Sequence, residues 1–282
     1  MPDIVIHVVA SALYAALALH LWNTRWRVQP ERWRLQQTTE TPASNELRGW
    51  ERAAILLPLL LHGWLLYDEI FAAAQMRFGF AQALSIMLWL AVAICWLEGL
   101  AYRIEALLPM VLAIAALCAP LPGFFSGRPT PDAYSLQFKL HLFAGMLAYS
   151  LFAVATFHAL LISIVERQLH AHPTLADRGV PPLLSLEALV FKLTGAAFAV
   201  LTLTFAVGIA YSESIFGRAL RFDHKTVFVV LSWLIFGLLL AGRLLYGWRG
   251  RTALRWTLAG FLMLMLAYPG SRFVLEVVLG RS

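Results

Sequence analysis

Eight stretches of this chain stay apolar for about the length an α-helix needs to cross a bilayer, ~20 residues for a ~30 Å hydrocarbon core. They cover residues 4–22, 53–72, 79–97, 106–122, 141–165, 188–211, 225–246 and 254–279. Their apolar residues run without alternation, which argues against membrane β-strands. In hydrocarbon every backbone N–H and C=O must be satisfied internally, and for a continuous apolar run the helix does this. The expected fold is all-α: a polytopic transmembrane helix bundle of about eight spans, forming a single integral membrane domain over 1–282. The fourth run is short, bounded by Pro109 and Pro120-Leu121-Pro122, and is expected to tilt or break. The eighth is interrupted by Pro269-Gly270 and carries Arg272 and Glu276, so its last turn is expected at or beyond the membrane surface.

Composition narrows the function. With 60% hydrophobic and 13% charged residues, the chain lacks the polar surface of a soluble domain, where charge is about 25%. A soluble enzyme, a disordered chain and a nucleic-acid-binding domain are excluded. The longest stretch between runs, near 23–52, is too short to bury a core of its own. Function is therefore expected in the bundle or on its rim, with the lipid bilayer as surroundings and no enzymatic activity. Cys95 and Cys118 lie inside apolar runs and form no CxxC pair, so no thiol-redox or cysteine metal motif is present. Met1-Pro2-Asp3 lacks the basic start of a secretory leader, so the first run reads as a span.

The net charge of +6 is arginine placed at the ends of these runs. Alternate connections 23–52, 98–105, 166–187 and 243–255 hold thirteen arginines, while the opposite side holds eight Lys and Arg residues. Cytoplasmic loops carry the excess of Lys and Arg. The expected orientation puts both termini outside, with Gly247-Trp248-Arg249-Gly250-Arg251 and Arg255 in a basic cytoplasmic turn.

Imidazole and charge inside a bilayer are costly, which makes the histidines the first candidates for function. His170 and His172 fall in a cytoplasmic connection and read as solvated. His7 and His20, near the two ends of the first run, read as interfacial. His62 and His158, deeper in the second and fifth runs, read as helix–helix hydrogen-bonding residues. His141 and His224 both fall at outer helix ends, on one membrane face. Two neutral imidazoles at one depth are suited to axial ligation of haem iron; two separate interfacial histidines are the plainer alternative. The segment Ser212–His224 places Ile215, Phe216, Ala219 and Leu220 on one helical stripe, Phe222 at its border, and Arg218 and Arg221 opposite. This predicts a short outer amphipathic helix. Its apolar stripe suits a flat hydrophobic ring, and its guanidinium forks suit carboxylates. An ordinary interfacial helix is again the alternative.

At these residues the chain resembles the CcsA/ResC-type cytochrome c assembly proteins, and among them the YpjD-like and HemX-like inner-membrane proteins. The resemblance covers roughly 80–279. It is carried by Lys139-Leu-His-Leu-Phe-Ala-Gly-Met-Leu-Ala-Tyr149, Phe216-Gly-Arg-Ala-Leu-Arg-Phe-Asp-His-Lys225, Ser232-Trp233-Leu-Ile-Phe236, Gly247-Trp-Arg-Gly-Arg251 and Gly260-Phe261. His141 matches the family's external haem-ligand histidine; Gly217, Asp223 and Lys225 match its external tryptophan-rich segment. Phe216, Leu220 and Phe222 replace that segment's tryptophans, and His224 replaces its proline. Ala241 stands at the place of an intramembrane histidine, and Arg272–Ser282 contains no histidine.

The resemblance implies a membrane haem-binding or haem-handling protein of c-type cytochrome biogenesis in a bacterial inner membrane. His141 would be the axial ligand, with His224 a candidate second ligand, so these two are the metal-ligating candidates. Phe216, Gly217, Leu220, Phe222 and Asp223 would surround the macrocycle, and Arg218 or Arg221 would pair with propionates. Haem-ligation or apocytochrome proteins would be partners. The alternative is a haem-free accessory or regulatory protein of the same fold, as HemX-like proteins suggest. A weaker reading is a transporter lined by His62 and His158.

Overall fold

The computed structural model describes residues 2–26, 47–72, 76–102, 107–129, 135–171, 183–216 and 224–280. Its helices are α1 (Pro2–Leu21), α2 (Gly49–Tyr67), α3 (Phe80–Tyr102), α4 (Leu108–Cys118), α5 (Leu121–Phe124), α6 (Leu136–Ala171), α7 (Leu183–Phe216), α8 (His224–Tyr246), α9 (Gly250–Met265) and α10 (Ser271–Phe273). π-helical turns prolong α1 to Trp26 and α2 to Ala72, and others carry the last helix through α10 to Val278. Among the described residues, seven helices are long and apolar enough to cross a membrane, and Leu108–Phe124 is a shorter apolar eighth. The all-α membrane bundle is therefore as the sequence predicts.

The short eighth returns the chain to the end of the bundle it left. Arg77 Nε donates to the Ser126 carbonyl at 3.0 Å, and Gln82 Nε2 to the Phe125 carbonyl at 2.9 Å. The start of α3 and the end of α5 thus lie side by side, with α3 and α4–α5 running out and back between them. At this rim Arg77–Phe78 pairs antiparallel with Arg128–Pro129 as two minimal strands, β1 and β2. No strand is expected from the sequence; these sit in connections, where the apolar-run argument does not apply. Gly127 turns the chain into β2 with φ +61°, and a Cβ there would meet the Gly79 nitrogen at 2.9 Å.

The break between α4 and α5 follows from proline chemistry. Pro120 has no N–H to give the Ala116 carbonyl four residues back. Ser11 Oγ of α1 donates to that carbonyl instead. Gly123 N–H turns to the Pro120 carbonyl, leaving the Ala119 carbonyl for His7 Nδ1 at 2.9 Å. His7 is thus buried and structural, not interfacial: the carbonyl exposed by the break needs a donor from another helix. His20 keeps the rim character expected of it, half-exposed beside the Trp50 ring, with Nε2 3.0 Å from Glu51.

The two ends of the bundle differ in chemistry. At one, Arg52 reaches the Gly99 carbonyl and Trp96 Nε1 donates to the Arg52 carbonyl. There too the Gly250 N–H donates to Glu187 at 3.0 Å. Arg243, Arg249, Arg251 and Arg255 belong to this end, around the turn from α8 to α9. The opposite end holds β1–β2, the start of α6, the start of α8 and Glu276, which accepts a hydrogen bond from the Phe80 N–H at 3.4 Å. His7, near the start of α1, is tied to Ala119 at this same end. The last helix stays helical through Pro269, because the π-turn Leu266–Gly270 absorbs the missing donor.

Between the ends, packing is apolar and close. Phe152 and Phe236 stack at 3.8 Å between α6 and α8. Gly260 of α9 lies against Phe236, where a Cβ would come within 2.8 Å of the ring. Leu60, Leu117, Leu203 and Leu244 remain exposed, the lipid-facing counterpart of this core.

Candidate functional site

The candidate residues lie at the end opposite the arginine-rich turn. α6 begins at Leu136, five residues earlier than the apolar run, so His141 sits in its second turn and does not open it. The ring packs on α7 at Gly208: a Cβ there would approach His141 Cε1 to 3.0 Å. Below it, Gly145 faces Thr204 of the same neighbour, where a Cβ would sit 3.8 Å from the threonine methyl. Small residues on facing turns let α6 and α7 approach closely. His141 is only partly buried, but its Nδ1 is enclosed and, among the described residues, has no hydrogen-bond partner. A buried polar atom left unpaired costs ~1–3 kcal/mol.

His224 opens α8 and is exposed. The structure places it at the same end as His141 and gives no contact between the two. Among the described residues, no group of three or more His, Cys, Asp or Glu side chains is arranged to hold a metal ion. Gly217, Arg218, Leu220, Arg221, Phe222 and Asp223 lie outside the described residues, and Phe216 is described only as the last residue of α7. The predicted amphipathic helix changes at its start: Ser212–Phe216 continues α7 without a break. Nothing in those five residues stops a helix, since proline and glycine are absent until Gly217.

Residues of the last helix join this end, and the sequence reading left them at the membrane surface. Tyr268 is flanked by two cations, Lys225 Nζ at 5.7 Å and the Arg272 guanidinium at 5.6 Å from the ring centre. Its ring also meets Phe78 of β1 at 5.6 Å. In the sequence Lys225 is one of the matched positions beside His224, and Arg272 is a charge within the last apolar run.

The deeper histidines make contacts between helices. His62 Nε2 of α2 is hydrogen-bonded to Ser85 Oγ of α3 at 2.7 Å, and Tyr14 of α1 meets the imidazole edge-on at 5.7 Å. His158 of α6 lies 3.7 Å from Glu98 of α3. His62 matches the helix–helix hydrogen-bonding role expected of it, whereas His158 bonds within its own helix, to the Val154 carbonyl, and only approaches α3 at Glu98. Glu98 itself was missed, because it follows the third apolar run and reads as part of a connection.

The fold defines the class: a polytopic helical membrane protein. The particular family is shown by comparison: residues 50–279 match the cytochrome C assembly protein family, and the chain belongs to it. A protein of Azospirillum brasilense described as an uncharacterized 28.8 kDa protein in the nifR3-like 5′ region is 35% identical over 70% of this chain and 76% of its own length. The inner membrane protein YpjD of Escherichia coli strain K12 is 29% identical over 61% of this chain and 65% of its own length. The cytochrome c biogenesis protein CcsA of Chlamydomonas reinhardtii is 24% identical over 52% of this chain, a match spanning 40% of CcsA.

Proposed function

We propose that this chain is a haem-handling protein of c-type cytochrome biogenesis, acting in a bacterial inner membrane with the His141 end facing outward. The observation that carries the reading is the enclosed, unpartnered Nδ1 of His141 beside Gly208, in a chain of the cytochrome C assembly family. The names of YpjD and CcsA support the membrane and the pathway, and the arginine asymmetry supports the orientation.

His141 fits a haem in donor type, and Gly208 lets its ring lie close against α7. When bound, haem would supply an iron that takes axial imidazole ligands. His141 would hold it through a ring nitrogen. Phe216, Leu220 and Phe222 would offer apolar contact, and Arg218 or Arg221 would meet the propionates. His224, exposed and one residue before Lys225, would close the site from α8. The chain would hold and present the cofactor, with thioether formation left to a haem-ligation partner acting on an apocytochrome, since both cysteines lie within apolar helices. On this reading the protein is not itself an enzyme.

The alternative is a haem-free accessory protein of the same fold. It is favoured by the lack of contact between His141 and His224. Deleting the gene and staining c-type cytochromes for haem in gels tests the pathway. Reduced staining, restored by the wild-type gene, is expected. Unchanged staining would contradict an assembly role.

A further inference from the structure

The pair His158–Glu98 belongs to no part of the proposed haem site: it lies towards the arginine-rich end, where α3 meets α6. His158 is fully buried, and the Glu98 side chain keeps 9% of its exposure. The geometry assigns the proton positions. His158 Nδ1 lies 3.0 Å from the Val154 carbonyl. A carbonyl only accepts, so Nδ1 carries the hydrogen. In a neutral imidazole that leaves a lone pair on Nε2, which faces Glu98 Oε2 at 3.7 Å. An ionised Glu98 would set lone pair against lone pair at a buried contact, with its charge uncompensated. The two atoms stand just beyond hydrogen-bond distance, and Nε2 has no partner among the described residues; a proton on Glu98 would give it a donor.

We propose that Glu98 and His158 form a proton-binding site that holds one proton between Glu98 Oε2 and His158 Nε2, resting on the carboxyl group. Both partners are then neutral, which avoids the desolvation cost of a buried ion pair. Transfer of that proton to Nε2 would make a carboxylate and an imidazolium, conserving charge within the pair. Glu98 is the member of the pair that keeps some exposure.

Among the described residues, the surroundings supply no compensating ion at this contact. α4 contains no charged residue. From α2, Arg52 is directed to the Gly99 carbonyl at 3.3 Å. From α7, Glu187 accepts from the Gly250 N–H, and Lys192 is exposed. From α8, Arg243 lies over the Phe191 ring at 4.6 Å. From α9, Arg251 and Arg255 are exposed. Cys95, one turn back from Glu98, is the other buried titratable group of α3 in this region.

Infrared spectra of the full chain in detergent, in H₂O and D₂O at neutral pH, test the assignment. The difference between wild type and Glu98→Gln should contain the carbonyl stretch of a protonated carboxylic acid, shifted down in D₂O. The same band should move to higher frequency in His158→Asn, which alters its hydrogen-bond acceptor. A difference spectrum holding only carboxylate bands would overturn the proposal. Should Glu98→Gln fail to fold, ¹⁵N spectra of histidine-labelled wild type, with His158 identified through His158→Asn, decide the matter. A neutral ring protonated at Nδ1 is expected, and an imidazolium would contradict the proposal.

Discussion

The His141 ring lies against the backbone of Gly208, so close that a Cβ on Gly208 would come within 3.0 Å of Cε1. The histidine is therefore placed by its neighbour helix as well as by its own. Gly208→Ala should displace the ring by a few tenths of an ångström, and Gly208→Val by more. If His141 ligates haem, both variants should bind it more weakly than wild type, Val more so, at unchanged protein yield. Titration of the detergent-purified variants with haem, followed in the visible spectrum, gives this order.

The carbonyl of Ala116, freed by Pro120, and that of Ala119, freed where the Gly123 N–H turns to Pro120, are satisfied by Ser11 and His7. Removing either donor leaves a buried carbonyl unpaired, worth ~1–3 kcal/mol. His7→Phe, which keeps bulk but loses the donor, should be destabilised by about that amount in denaturant titrations in micelles. Pro120→Ala restores the N–H for Ala116, so Ser11→Ala should cost less in that background than alone. Equal costs in the two backgrounds would contradict the capping account.

Gly260 lies where a methyl group would press on Phe236, itself stacked on Phe152. The contact is to carbons of a fully buried ring already stacked on Phe152, so the neighbour cannot yield easily. Gly260→Ala should lose ~1–3 kcal/mol by overpacking, seen as a lower melting temperature. In a Phe236→Leu background the same change should cost less.

The arginine-rich turn between α8 and α9 is expected to hold its end of the bundle in the cytoplasm. A periplasm-active reporter fused after Ser282 should be active in wild type. Replacing Arg249, Arg251 and Arg255 together with glutamine should lower that activity by releasing the last helices from their orientation.

The bundle was legible because each span needs only length and apolarity, and both are local properties of the sequence. What was not legible depends on pairing across helices. His7 reads as interfacial from its position near an end; its role depends on a proline more than a hundred residues away. Glu98 reads as a connection because its partner, His158, sits on another helix. Helix starts were read late, since Leu136–Leu140 is amphipathic enough at Gln137 and Lys139 to look like a loop. For the candidate site, His141 was legible from its place at a rim, while its unpartnered nitrogen follows from Gly208, which no periodicity in α6 reveals.

The central claim is that His141 holds haem. The direct measurement is the visible spectrum, oxidised and reduced, of the protein purified in mild detergent after expression with excess haem. A Soret band in wild type that is lost in His141→Ala and retained in His62→Ala is predicted. Haem-free wild-type protein, or a band indifferent to His141→Ala, would contradict the account.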